Sequence, residues 1–156
     1  MAHVNELTHD QKPAGWSAGA AGYESAFAPF SAMYAADAIQ LLNLKPADRF
    51  LDVCAGAGAM ALPAARLGAD VTAVDFAPGM VALLRERMRS NGLSARVEEM
   101  DGQALDLPDA YFDAAASMFG LIFFPDLGAG LRELRRTCRT SRNALCERSR
   151  SPTSSA

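Results

Sequence analysis

The chain has 156 residues, with 15 Lys plus Arg against 18 Asp plus Glu, and half of it is hydrophobic. That composition is globular and excludes disordered, collagen-like and disulfide-scaffold classes. No uncharged run reaches the ~18 residues needed to cross a bilayer, and the opening residues lack the apolar stretch of a secretory signal. Three cysteines, Cys54, Cys138 and Cys146, form no CxxC pair. They speak against a metal site and fit a reducing, cytoplasmic setting. Residues 1–131 carry 8 basic and 16 acidic side chains, and residues 132–156 carry 7 and 2. An acidic body offers no electrostatic footprint for nucleic acid.

In chain order, residues 1–15 are polar and read as a flexible arm. An Ala- and Gly-rich aromatic segment follows, and then a helix over SAMYAADAIQLLNL. Ser31 is placed to cap that helix, Met33, Ala36, Ile39, Leu41, Leu42 and Leu44 form its stripe, and Lys45-Pro46 stops it. Arg49–Cys54 reads as a buried strand, Gly58–Leu67 as a helix ended by Gly68, and Asp70–Val74 as a second strand. Pro63 is tolerable only in the first turn of its helix. Pro78–Ser90 is an amphipathic helix stopped by Asn91-Gly92. Ala95–Met100 and Tyr111–Ser117 are further strands, and Leu127–Cys138 is a last helix. Apolar strands alternating with helices imply an α/β fold with a mostly parallel sheet covered on both faces.

The chemistry concentrates in Leu51-Asp52-Val53-Cys54-Ala55-Gly56-Ala57-Gly58. A strand ends, two glycines spaced by one residue follow, and a helix begins. Glycine lets the backbone turn sharply and a ligand approach without a Cβ between, and a helix N-terminus offers unpaired N–H groups to an anion. Asp75 ends the second strand, where a carboxylate can accept both hydroxyls of a ribose. Asp101-Gly102-Gln103 follows the third strand. Open parallel sheets bind ligands at these strand ends, so the three segments converge on one crevice.

Roughly residues 16–136 resemble the class I S-adenosylmethionine-dependent methyltransferases, whose first motif is a strand ending in D/E-x-x-x-G-x-G. The resemblance implies that Asp52 is the acid of that motif and that Ala55, Gly56 and Gly58 lie along the methionine part and ribose. It implies that Asp75 holds the ribose hydroxyls and Phe76 packs on the adenine. Asp101, Gly102 and Gln103 would read the adenine edge, and Ser117 would line the methyl-transfer site. FGLIFFPD followed by LRELRR resembles the small-molecule members, including the quinone-biosynthesis methyltransferases. The expected reaction is in-line methyl transfer from S-adenosylmethionine to a small-molecule acceptor. No general base is identifiable.

Two competing readings remain at this stage. Gly56 through Ala61 fits GxGxxA, so a nicotinamide-binding Rossmann oxidoreductase also accounts for the glycines and Asp75. It gives no role to Asp52 or Asp101. The other is a non-catalytic remnant that binds cofactor, motivated by the end of the chain. From Thr137 onward 8 of 20 residues are Ser or Thr, where relatives continue with further strands. Residues 137–156 therefore read as a disordered tail, and the sheet as an incomplete Rossmann-like one of about four strands instead of seven. The resemblance thus leads to the expectation of a chain truncated or frame-shifted near Arg136.

Overall fold

Four short strands run through the centre of the computed structural model, which describes residues 7–139. They are β1 (Arg49–Val53), β2 (Asp70–Asp75), β3 (Arg96–Glu99) and β4 (Ala114–Ala116). All pair in parallel, in the order β3-β2-β1-β4. Val53 lies opposite Val74, Asp75 opposite Glu99 and Asp52 opposite Ala116, so the carboxyl ends of all four strands share one rim. The order reverses beside β1, the kind of switch point where open α/β sheets hold ligands.

Helices cover both faces: α1 (Pro13–Ala26), α2 (Ala28–Leu42), α3 (Ala61–Arg66), α4 (Pro78–Ser90) and α5 (Leu127–Thr137). Alternation along β1 divides the core. Phe50 packs with Ile39, Met60, Leu84 and Met88 on one face, while Leu51 and Val53 pack with Leu105, Phe112 and Leu134 on the other. Local chemistry sets the boundaries. Pro78 opens α4, and the Asp126 carboxylate accepts the Ala129 N–H at 2.9 Å to cap α5. Pro63 falls in the first turn of α3, and Gly68, at φ +83°, follows its end. Arg136 donates to the carbonyls of Leu105 and Leu107 at 2.9 and 2.7 Å and pairs with Glu133, fixing the 105–109 loop onto α5.

Several boundaries differ from the sequence reading. Helical structure begins inside the expected arm, with a 3₁₀ turn at His9–Gln11 and α1 from Pro13, because the Trp16 indole N–H donates to the Asp10 carbonyl at 2.7 Å. Residues 1–6 lie outside the described residues. α2 starts before Ser31, whose hydroxyl donates to the Phe27 and Ala28 carbonyls inside the helix. Its buried stripe is Ala28, Ser31, Ala35, Ile39 and Leu42, leaving Met33 and Leu41 exposed. Asn43, in the left-handed conformation at φ 49°, ends it ahead of Pro46.

β4 is shorter than expected because the N–H groups of Ala110, Tyr111 and Phe112 turn to the carbonyls of Arg136 and Thr137. The first residues of the expected tail are accordingly ordered. Thr137 and Cys138 are buried, and Cys138 pairs in parallel with Phe112. Residues 140–156 lie outside the described residues.

Gly58 shows how tightly the first crossover is built. At φ +85°, a Cβ there would overlap Leu84 Cδ1, whereas a Cβ at Gly92, also at positive φ, meets open space. Gly58→Ala is expected to cost roughly 2–3 kcal/mol, combining backbone strain with overpacking. Gly92→Ala should cost about 1 kcal/mol, backbone strain alone. Urea denaturation midpoints of the two variants check this.

Candidate functional site

The shared strand rim opens into a cavity of about 850 Å³, within the range of small-molecule sites. Its base is built from the strand ends. β1 runs into a turn in which Cys54, Gly56 and Gly58 all adopt positive φ. Asp75, ending β2, reaches across to that turn: its Oδ2 accepts the Gly56 N–H at 2.9 Å and its Oδ1 accepts the Ala77 N–H at 3.0 Å. Each carboxylate oxygen keeps further acceptor capacity toward the cavity it lines. Burial pushes the Asp75 carboxyl above the usual carboxylate range, and the Ala77 and Gly56 amides pull it partly back.

After β3, Asp101 Oδ1 accepts the backbone N–H of Gln103 at 2.9 Å, and Gln103 in turn accepts the Asp126 N–H at 2.8 Å. Gly56, Asp75, Phe76, Asp101 and Gln103, all expected from the sequence, therefore face one cavity. The other five expected residues do not line it. Asp52 points to the opposite side of β1, the Phe50 side. It is 1% exposed, and its Oδ2 accepts the Ala61 N–H at 2.9 Å. Burial pushes its carboxyl up to about 8, opposed by the Ala61 bond and reinforced by Asp75 nearby.

The expected helix N-terminus at Gly58 is thus displaced: α3 begins only at Ala61, and Asp52 occupies the N–H group there. Ala55 bonds back to Val74 and is buried. Gly58 serves contact with Leu84, and a Cβ at Gly102 would overlap Phe124 and Val53. Ser117 Oγ is buried, with no hydrogen-bond partner among the described residues. It lies behind Gly120, where a Cβ would come within 3.0 Å of it and overlap Cys54.

Of the roof, the sequence singles out Tyr23 alone, an aromatic on an N-terminal helix that could lid a ligand or simply pack, and Tyr23 does line the cavity. Trp16 packs edge-on against Tyr23 and Phe123, with ring centroids 5.8 and 5.0 Å away, and Tyr23 stacks on Phe27. A Cβ at Gly56 would stand 3.6 Å from the Tyr23 ring, so the glycine turn and the roof confine a narrow space. α1 is held down where Ser17 Oγ accepts the Gly79 N–H at 3.0 Å. Further out, Phe119 adopts φ 62° and packs against Phe30 and Tyr34. The spacing of Trp16, Tyr23, Phe27 and Phe30 at 7, 4 and 3 residues is helical. An aromatic stripe in an otherwise Ala- and Gly-rich stretch was the available signal. Among the described residues lining the cavity none is Lys, Arg or His, while Asp75, Glu99 and Asp101 are acidic.

Comparison with known proteins agrees with the α/β fold and points to a family. A family model described as a methyltransferase domain matches residues 50–141. An uncharacterized protein of Mycobacterium tuberculosis is 39% identical over 97 residues, covering 62% of this chain and 35% of the relative. The demethylmenaquinone methyltransferase of Thermus thermophilus is 40% identical over 101 residues, covering 64% of this chain and 46% of that protein. The chain thus spans less than half the length of these curated relatives. The crystal structure of a SAM-dependent methyltransferase from Aquifex aeolicus superposes with a TM-score of 0.60 at 24% identity, covering 67% of this chain and 58% of that one.

The Asp52 environment carries a pH signature. Burial pushes its carboxyl up to about 8, from an ordinary value of 3.8. The stability it permits is complete below pH 4 and declines as pH rises through 8, because only the unfolded chain ionises freely in between. Asp52→Asn keeps an acceptor for the Ala61 N–H and removes the ionisation. Its thermal stability relative to the wild type should be indistinguishable near pH 4 and clearly higher near pH 8, as differential scanning calorimetry across that range would show.

Proposed function

The chain belongs to the methyltransferase domain family, and from that premise we propose that it binds S-adenosylmethionine, the family's cofactor, in the large cavity and directs its methyl group to an apolar small-molecule acceptor. The observation that carries this reading is the buried Asp75 carboxylate at the end of β2, facing the cavity beside a glycine turn that it also holds in shape. A ribose diol donates two hydrogen bonds, and the free lone pairs of Asp75 are suited to accept both.

Phe76, Asp101 and Gln103 continue from Asp75 along the rim and suit the adenine end. Phe76 supplies a ring face, and the Asp101–Gln103 pair supplies polar atoms for the base edge. Gly56, lacking a Cβ, lets the part between ribose and methyl group approach the backbone of the turn, with the Tyr23 ring 3.6 Å from where that Cβ would stand. Asp52, Ala55, Gly58, Gly102 and Ser117 act from behind this surface: they cap α3, close the turn and let the loops after β3 and β4 approach β1. The bound cofactor supplies an already electrophilic methyl group, so the chain's own task is placement and exclusion of water. Fixing two reactants in near-attack geometry can remove ~7–11 kcal/mol of barrier, and the aromatic roof of Trp16, Tyr23 and Phe27 serves both ends.

Electrostatics separates this reading from the nicotinamide alternative. A dinucleotide brings a pyrophosphate, and this cavity meets it with carboxylates, no basic side chain among the described residues, and an α3 N-terminus already taken by Asp52. The same absence disfavours anionic acceptors. Phe30, Phe119 and Ile122 near the mouth favour an uncharged, ring-bearing molecule, the quinone-like class that the Thermus relative's name also indicates. Among the described residues Cys54 and Cys138 form no disulfide, which supports assignment to a reducing cytoplasm.

Titration calorimetry tests the assignment. The wild type should bind S-adenosylmethionine saturably and in preference to NAD. Asp75→Ala should weaken that binding by about 1.5–3 kcal/mol, the value of a hydrogen bond to a charged group. Asp75→Asn, which keeps one acceptor for the Gly56 N–H, should fall between. Tighter binding of NAD, or no saturable binding of S-adenosylmethionine by protein that unfolds cooperatively, would overturn it.

A further inference from the structure

A second hollow, of about 220 Å³, opens between α2, α3 and α4 and shares no lining residue with the large cavity. Small residues form much of its wall: Ala28, Ala32 and Ala36, one helical turn apart on α2, and Gly58. The charged side chains in that wall are both guanidinium groups, Arg66 at the end of α3 and Arg87 on α4. Arg66 has no carboxylate partner among the described residues; its one hydrogen bond there runs from Nη2 to Asn91 Oδ1 at 2.9 Å. Arg87 Nη1 donates to the Ala57 carbonyl at 2.8 Å, and its Nε lies 3.6 Å from Glu24 Oε1. The remaining N–H groups of both guanidiniums make no hydrogen bond among the described residues.

Two like charges flank an alanine-lined hollow, and among the described residues only Arg87 has a carboxylate partner, Glu24, leaving Arg66 uncompensated. Planar guanidinium forks with spare donors match the geometry of an oxyanion. We propose that the hollow between α2, α3 and α4 is a binding site for a small oxyanion, of the phosphate class, gripped by Arg66 and Arg87. Arg87 also holds the carbonyl between Gly56 and Gly58, so an anion drawing on Arg87 is one hydrogen bond from the glycine turn. Glu24 is the internal competitor, and its exposed position on α1 lets it yield to solvent.

Inorganic phosphate is the probe, titrated into the full chain and followed by NMR at constant ionic strength against sodium chloride. The expected result is saturable movement of the Arg66 and Arg87 side-chain Nε–H signals together with the Gly58 amide. Arg66 is exposed, so Arg66→Ala should keep the fold, which circular dichroism checks. It should weaken phosphate binding tenfold or more, the loss of a charged hydrogen bond, while Arg66→Lys retains part of it. Arg96→Ala, which alters an exposed arginine outside the hollow, should leave binding unchanged. Shifts that do not saturate, or equal weakening by Arg66→Ala and Arg96→Ala, mean an adventitious ion only and overturn the proposal.

Discussion

The carboxylate of Asp75 is the joint on which this site depends. One oxygen accepts an N–H from the glycine turn after β1 and the other accepts the Ala77 N–H at the entry to α4, while its backbone carbonyl accepts the Met100 N–H after β3. A single residue thus fixes three chain segments relative to one another. Burial makes its charge costly, as its raised pKa shows, and the amide donors that offset the cost also impose the shape of the turn. Replacing it would disturb the cavity wall even before any ligand is considered.

The cavity built on that joint is chemically lopsided. Carboxylates lie along the strand ends, whereas the roof and mouth are aromatic. The base is held by the rigid sheet. The roof rests on α4: the Ser17 backbone lies where a Gly79 Cβ would stand and Ser17 Oγ accepts the Gly79 N–H, while Trp16 meets Phe123 and Glu24 lies near Arg87. Such an enclosure suits a ligand with a polar, hydroxyl-rich end and no phosphate.

Much of the scaffold could be read directly. The strand cores at residues 49–53 and 70–75 and the helix at residues 78–90 follow from apolar runs and their Gly, Asn and Pro boundaries, and Asp75 is placed by the end of β2. Asp52 is instructive because it was legible only in part. Strand alternation puts it on the same side as Phe50, hence toward α3, but a strand-end acid beside a glycine turn also invites a ligand role. The aromatic roof was obscured because α1 buries none of its residues, so no core stripe marks it as packed. The order at Thr137 and Cys138 comes from pairing with residues 110–112, a contact between distant segments that local composition does not report.

The most direct test is a crystal structure of the chain grown with S-adenosylhomocysteine, which shares the adenosyl group. The account predicts both ribose hydroxyls within hydrogen-bonding distance of the Asp75 carboxylate, the adenine between Phe76 and the Asp101–Gln103 segment, and Tyr23 over the chain leading to the sulfur. An adenosyl group bound elsewhere, or turned so that the ribose lies away from Asp75, would contradict it.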